Sequence, residues 1–224
     1  VTASVYVIGG AGTGKSTFMA ALLGPRAAAL GPLEDLHAKP NTKSLVTLRG
    51  HRLGTDGMYL GCMRDEYPGT DGLDRASSPV GKEWLEQGGL RGIAWLVGEG
   101  ATLATRPFMH ALAEHSSLLL IHLFADDFVK DLRFVERGSS QADSFVTATA
   151  TRSRNLALEM ATVRARVWDV DSADPEEWTQ ALDVATDHLG KLFQESWSGR
   201  GNDSKRSEQD AVRGWAQDQA QRLF

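Results

Sequence analysis

Apolar positions in this chain come in short, nearly unbroken runs rather than in strict alternation. Val5-Tyr6-Val7-Ile8, Ile93-Ala94-Trp95-Leu96-Val97, Leu118 to Phe124 and Arg166-Val167-Trp168-Asp169-Val170 each read as a strand, and stretches of helical composition separate them. A strand that is apolar at almost every position is buried on both faces, which is the pattern of a parallel sheet covered by helices on both sides. A helix is predicted from Lys15 to Leu23. A second follows the last strand, with Asp174 as cap, Pro175 at the first helical position and Glu176 and Glu177 against the positive end of the dipole. Trp178, Leu182, Ala185, Leu189 and Leu192 then recur at helical spacing, so that helix lays one face on the sheet. The pattern thus predicts an α/β fold with a mostly parallel central sheet.

Two stretches break the alternation of strand and helix. Leu45 to Leu60 reads as an inserted hairpin turning at Arg49-Gly50, and Gly54 to Gly72 is a glycine-rich loop that includes Tyr67-Pro68. Long loops of this kind within compact α/β domains tend to carry function. Residues 196–224 are polar and of mixed charge; they read as a tail beyond a domain at 1–195, with Trp215 and Leu223 as anchors for a terminal helix.

The first strand runs into Gly9-Gly10-Ala11-Gly12-Thr13-Gly14-Lys15-Ser16, which satisfies G-x-x-x-x-G-K-[ST]. Glycines let successive backbone N–H groups turn inward toward phosphate oxygens. The helix that opens at Lys15 offers its unpaired N–H groups and dipole to the same anion. In this cradle Gly10, Ala11, Gly12, Thr13 and Gly14 wrap the phosphates, and Lys15 reaches the β- and γ-phosphates. Ser16 presents its hydroxyl to Mg²⁺, and Thr17 adds a second hydroxyl near the α-phosphate. ATP and Mg²⁺ are the cofactors expected.

Composition narrows the setting. The 224 residues carry a net charge of -5, so no global basic field attracts nucleic acid, and any such affinity would come from a local patch. Apolar residues are 42% and charged residues 24%, as in an ordinary soluble domain. The single cysteine, Cys62, cannot form an internal disulfide and suits a reducing compartment. No charged segment precedes an apolar stretch at Val1 to Ile8, and no run approaches the roughly 20 residues of a membrane span, so a cytoplasmic location without membrane partners is expected. Oligomeric state is not readable from the sequence.

A guanine-reading switch protein would carry Asn-Lys-x-Asp, and Asn41-Thr42-Lys43-Ser44 does not match it. A motor ATPase would end an apolar strand in Asp-Glu. The strand at 118–124 leads instead to Ala125-Asp126-Asp127, which leaves an ATPase driving conformational work as an alternative.

The cradle, the acidic Glu99 after a core strand, and the arginines between the strands at 118 and 166 together resemble the nucleoside and nucleotide kinase branch of P-loop proteins. That resemblance implies a P-loop three-layer sandwich with an arginine-bearing lid at about 126–155. Residues 130–166 hold seven Lys/Arg and four Asp/Glu. It implies that Arg133 meets the nucleotide, that Arg137 and Arg152, with Arg154 nearby, stabilise charge on the transferred phosphoryl group, and that Glu99 assists the metal or the acceptor. It implies too that Asp71 orients the acceptor hydroxyl or takes its proton; read from the residue alone, Asp71 is equally a turn aspartate bonding backbone amides.

More narrowly, Pro68-Gly69-Thr70-Asp71, Gly98-Glu99-Gly100, and Arg137-Gly138-Ser139-Ser140-Gln141 leading to Thr151-Arg152-Ser153-Arg154 resemble kinases of tailed bacteriophages, some of which phosphorylate 5-hydroxymethyluracil in DNA. On that likeness the acceptor is a modified base in DNA, with a free nucleoside or nucleotide as the alternative. Arg49, His51 and Arg52 of the hairpin, and Lys205, Arg206 and Arg213 of the tail, are then candidate DNA contacts.

Overall fold

The computed structural model describes residues 1–40, 45–63, 69–136, 138 and 141–195. Its strands are β1 (Ala3–Gly9), β2 (Leu30–Pro40), β3 (Leu45–Leu53), β4 (Gly57–Leu60), β5 (Trp95–Glu99), β6 (Ser117–Phe124) and β7 (Ala165–Asp171). Its helices are α1 (Lys15–Leu23), α2 (Ser77–Glu86), α3 (Arg106–His115), α4 (Asp127–Glu136), α5 (Asp143–Met160) and α6 (Pro175–Glu195). Among the described residues the strands form one sheet in the order β2-β3-β4-β5-β1-β6-β7. The neighbours β4, β5, β1, β6 and β7 pair in parallel, and β2 and β3 extend one edge antiparallel.

The unbroken apolar runs do what their pattern requires. In β1, Tyr6 and Ile8 enter one core with α2, α3 and α5, while Val5 and Val7 enter a second with α1 and α6. Neighbouring strands split in the same way: Leu118 and Leu120 face the first core, Leu119 and Ile121 the second. The helix predicted after Asp174 is α6. Asp174 Oδ1 accepts from the Glu176 and Glu177 amides at 2.8 and 3.3 Å, and Trp178, Ala185 and Leu189 are buried.

The hairpin at 45–60 forms, but not with its turn at Arg49-Gly50. Those residues lie in mid-β3, and the chain reverses at 54–56. Gly54, at φ 64, takes the left-handed conformation such a turn needs. The hairpin is also no appendage: β4 pairs with β5 in register Gly57↔Trp95 and so belongs to the main sheet. A strand at 30–40 went unread because Gly31, Pro32 and the charged Glu34, Asp35 and Lys39 hide it; it is an edge strand with half-exposed residues, where Pro and charge are tolerated.

All the parallel strands end on the side where β1 delivers the glycine loop. Ligands of open α/β sheets bind at such carboxyl ends. Among the described residues no helix is long and apolar enough to cross a membrane.

Candidate active site

The glycine loop sits between β1 and α1 as its composition demands. Gly12 and Gly14 have φ of 79 and 84, which a side chain with a Cβ rarely adopts. Thr13 is buried and its hydroxyl donates to the Gly10 carbonyl at 2.9 Å, pinning the loop from within. Lys15 Nζ donates to the Gly9 and Gly10 carbonyls at 3.2 and 2.9 Å, so the ammonium lies over the mouth of its own loop. Ser16 and Thr17, both half-buried, occupy the first turn of α1.

The predicted lid consists of α4 and α5, and both touch the loop. On α4, Arg133 is only 2% exposed; its Nη1 donates to the Gly12 carbonyl at 3.1 Å and to Ser172 Oγ at 2.9 Å, and Nη2 to the Ser172 carbonyl at 2.7 Å. Arg133 therefore stands behind the cradle, tying it to the segment after β7, rather than reaching across its mouth. Lys130, one turn earlier on the same face, is buried beside Gly12 and pairs with Asp127 at 2.5 Å. That pair holds the Asp127 carboxyl below its usual range, first through the hydrogen bond and then through the charge. Lys130 was not singled out from the sequence, although its i, i+3 spacing from Arg133 is a signal that places both on one face.

On α5, Thr149 Oγ1 accepts the Ala11 N–H at 3.3 Å, and Ala150 packs so closely on Gly10 that a Cβ there would lie 3.1 Å from the alanine methyl. Arg152 is exposed and, with Thr149 and Ser153, lines a small pocket against Ile8, Gly9, Gly100, Ala101 and Ala104. The structure thus brings Arg152 to a pocket beside the first glycine of the loop. Arg154 is exposed on the same helix, and Arg137 lies outside the described residues.

Two acids stand next to the Gly100–Ala101 wall of that pocket. Glu99 ends β5 and is 2% exposed, well ahead of α3, so it is a strand-end acid and not a helix-capping one. Asp71 is exposed in a short 3-10 turn at Thr70–Gly72, and its Oδ1 accepts the Ala101 and Thr102 amides at 2.6 and 3.2 Å. The amide-bonding reading of Asp71 is thus realised, but between two loops rather than within its own turn. Gly100, at φ 113, has no room for a Cβ, which would lie 2.7 Å from Thr70 Oγ1 and 2.9 Å from Asp71 Oδ1. Beneath them Tyr6 OH bonds Thr70 Oγ1 at 2.9 Å and donates to the Gly100 carbonyl at 3.2 Å. Burial, with Asp71 and Glu99 adding to it, raises the Tyr6 phenol well above its ordinary value. Tyr59 is raised as well, by burial and then by Glu99.

Ser16 and Glu99 suit Mg²⁺ in the way a phosphate site uses it: one or two protein oxygens, the rest from phosphate and water. No three His, Cys, Asp or Glu gather into a metal cluster among the described residues.

The hairpin cations are spent within the sheet. Arg49 Nε meets Asp35 at 2.9 Å and Arg52 Nε meets Glu34 at 3.6 Å, both across the β2–β3 pair. His51 bonds the Gly31 carbonyl through Nδ1, and its Nε2 receives the Met63 amide. The tail cations Lys205, Arg206 and Arg213 lie outside the described residues.

The family model described as P-loop Nucleotide Kinase3 matches residues 2–187. No curated protein matches the chain. The match spans the sheet, the cradle and helices α4 and α5, and the chain belongs to this P-loop nucleotide kinase family.

Proposed function

From this family membership we propose that the chain transfers the γ-phosphoryl group of ATP, with Mg²⁺, to a hydroxyl on a nucleotide-type acceptor. One observation carries the proposal: Lys15 lies over the glycine loop, and beside that loop Arg152 lines a small pocket whose Gly100–Ala101 wall follows Glu99 and is bonded by Asp71. Lys15 supplies positive charge to the β- and γ-phosphates, and Ser16 with Glu99 would hold the metal, whose positive charge would offset that of the phosphates. Arg152 adds a cation at the transferred group, and Arg137 remains its proposed partner from the lid. Asp71, oriented by two amides and open to solvent, receives the acceptor hydroxyl. Arg133 serves the nucleotide through the loop it braces.

The finer reading is the acceptor. A free nucleotide as acceptor needs no basic surface to hold it. A 5-hydroxymethyluracil in DNA, suggested by the resemblance of residues 68–71 and 98–100 to phage kinases, requires the base to be flipped out and its backbone held by cations. With Arg49 and Arg52 paired to acids, the free nucleotide is the better-supported acceptor.

The test is transfer of labelled γ-phosphate to free nucleosides and nucleotides, plain DNA and DNA containing 5-hydroxymethyluracil, with Lys15→Ala as control. Label on a free nucleotide, lost by about 10²-fold or more in the control, supports the proposal. Label on the modified DNA alone moves the acceptor to DNA. Phosphate release without any labelled product favours an ATPase instead.

A further inference from the structure

We propose that Thr149 is a ligand of the terminal phosphate, contributed by α5; the inference rests on the kinase reading of the cradle. Three contacts lead to it. The Ala11 N–H, one of the inward-turned donors of the cradle, is taken by Thr149 Oγ1 at 3.3 Å. The same hydroxyl donates its own hydrogen to the Val146 carbonyl at 3.0 Å, a bond within its own helix turn. Ala150, its neighbour, lies against Gly10, where a Cβ would stand 3.1 Å from its methyl, so α5 rests on the start of the loop.

The cradle in this state is satisfied from within. Lys15 bonds the Gly9 and Gly10 carbonyls, and Thr149 occupies an amide meant for an anion. Entry of a phosphate exchanges both. As α5 draws back to admit it, a phosphate oxygen takes the Ala11 N–H, and the Thr149 hydroxyl turns its hydrogen from the Val146 carbonyl to that oxygen. No covalent bond changes; one helix-internal hydrogen bond becomes a charge-assisted one, which is stronger. Val146 loses only a side-chain partner.

The position of Ala11 says which phosphate is meant. The cradle runs from Gly10 to the start of α1, where Lys15 and Ser16 stand. Ala11 is at the end away from α1, next to the pocket formed by Gly9, Gly100, Ala101, Thr149 and Arg152. The Gly100–Ala101 wall of that pocket is the one Asp71 holds. The phosphate that meets Ala11 and Thr149 is therefore the one nearest the acceptor, the group to be transferred. An enzyme that must retain ATP and release ADP gains from a ligand that only the triphosphate engages.

The test compares Thr149→Val, which keeps the shape and removes the hydroxyl, with Thr149→Ser, which restores it. Affinities for a non-hydrolysable ATP analogue and for ADP are measured by calorimetry, alongside phosphotransfer. Thr149→Val is expected to bind the ATP analogue roughly tenfold more weakly, to keep ADP affinity, and to lower kcat, while Thr149→Ser stays close to wild type. Equal losses for both nucleotides, or tighter binding of both by Thr149→Val, would reduce Thr149 to a brace or a placeholder and overturn the inference. Failure of the wild-type chain to bind ATP at all would instead strike the kinase reading on which it rests.

Discussion

Helices α4 and α6 are both amphipathic and both flank the cradle, yet they are built in opposite senses. α6 is conventional: Trp178, Ala181, Ala185, Leu189 and Phe193 are buried against the sheet, and Glu176, Glu177 and Gln180 face water. Trp178 stands edge-on to Phe18 of α1 at 5.1 Å, and Phe193 edge-on to Trp95 of β5 at 4.9 Å. α4 is turned inside out. Its inner face carries Lys130 and Arg133, while Phe128 and Val135 are 72% and 78% exposed and Leu132 about half exposed. Hydrophobic burial decides which way α6 faces; the carbonyls of the cradle and of Ser172 decide it for α4. A helix at a phosphate site obeys the polar groups it must satisfy before it obeys its own apolar stripe.

The largest effect should come from imposing the α4 rule on α6. Ala185 is fully buried, so Ala185→Lys places an uncompensated charge in the core. A loss of about 3–5 kcal/mol is expected, enough to unfold a marginal domain, and urea denaturation would read it. A loss under about 1 kcal/mol would mean that α6 is not held by this face.

Arg133 is next. Arg133→Met keeps much of the volume but leaves the Gly12 and Ser172 carbonyls without this donor, at an expected cost of roughly 2–4 kcal/mol. Because Arg133 acts through the loop, ADP affinity should fall even where the variant is fully folded. Normal stability together with normal ADP affinity would show that α4 does not need its buried cations.

These two helices also show how far the sequence could be read. α6 announces itself, since cap, proline, acidic first turn and apolar stripe all agree, and the cradle does so because glycines, Lys15 and Ser16 must stand in that order. The arginines of α4 and α5 could be recognised as a charged set, but not sorted. Whether a guanidinium stands behind a loop, as Arg133 does, or opens onto a pocket, as Arg152 does, depends on how each helix packs. Spacing fixes only which residues share a face. The pairing of Arg49 and Arg52 with acids on β2 was hidden for a related reason: β2 itself was masked by edge-strand composition, so its carboxylates had no place opposite β3. Thr149 is one of three threonines, at 147, 149 and 151, and only the way α5 packs tells which of them meets the loop.

The burial of polar groups seen in α4 extends to Tyr6 under the Thr70–Gly72 turn. Its phenol is raised by burial, so the folded chain holds the proton after the unfolded chain, near pH 10, has released it. Its contribution to stability is complete below about pH 10 and is lost as pH climbs toward the folded value, at about 1.4 kcal/mol per pH unit. Tyr59 adds in the same sense, whereas Arg26, which burial pulls down to about 10, acts in the opposite one. The difference between wild type and Tyr6→Phe isolates the one phenol. Stability curves at pH 9 to 11 should converge toward the high end, and parallel curves would show that Tyr6 ionises equally in both states.

The smallest effect should be the most informative about α4. Leu132→Lys puts a charge on the apolar stripe, the change that would be ruinous at Ala185. Leu132 is about half exposed, with Phe128 and Val135 beside it on the open face, so the new ammonium stays in water. Asp131 and Glu136 are exposed on the same helix and offer it nearby negative charge. The expected change is within about 0.5 kcal/mol, with phosphotransfer unaffected. If stability holds, the exposed stripe of Phe128, Leu132 and Val135 does no folding work in this chain, and the helix is positioned from the side that carries Lys130, Arg133 and Phe134. If instead Leu132→Lys costs several kcal/mol while Arg133→Met costs little, the contrast reverses: α4 would be an ordinary amphipathic helix packed through its stripe, and Lys130 and Arg133 would be passengers rather than the reason for its orientation.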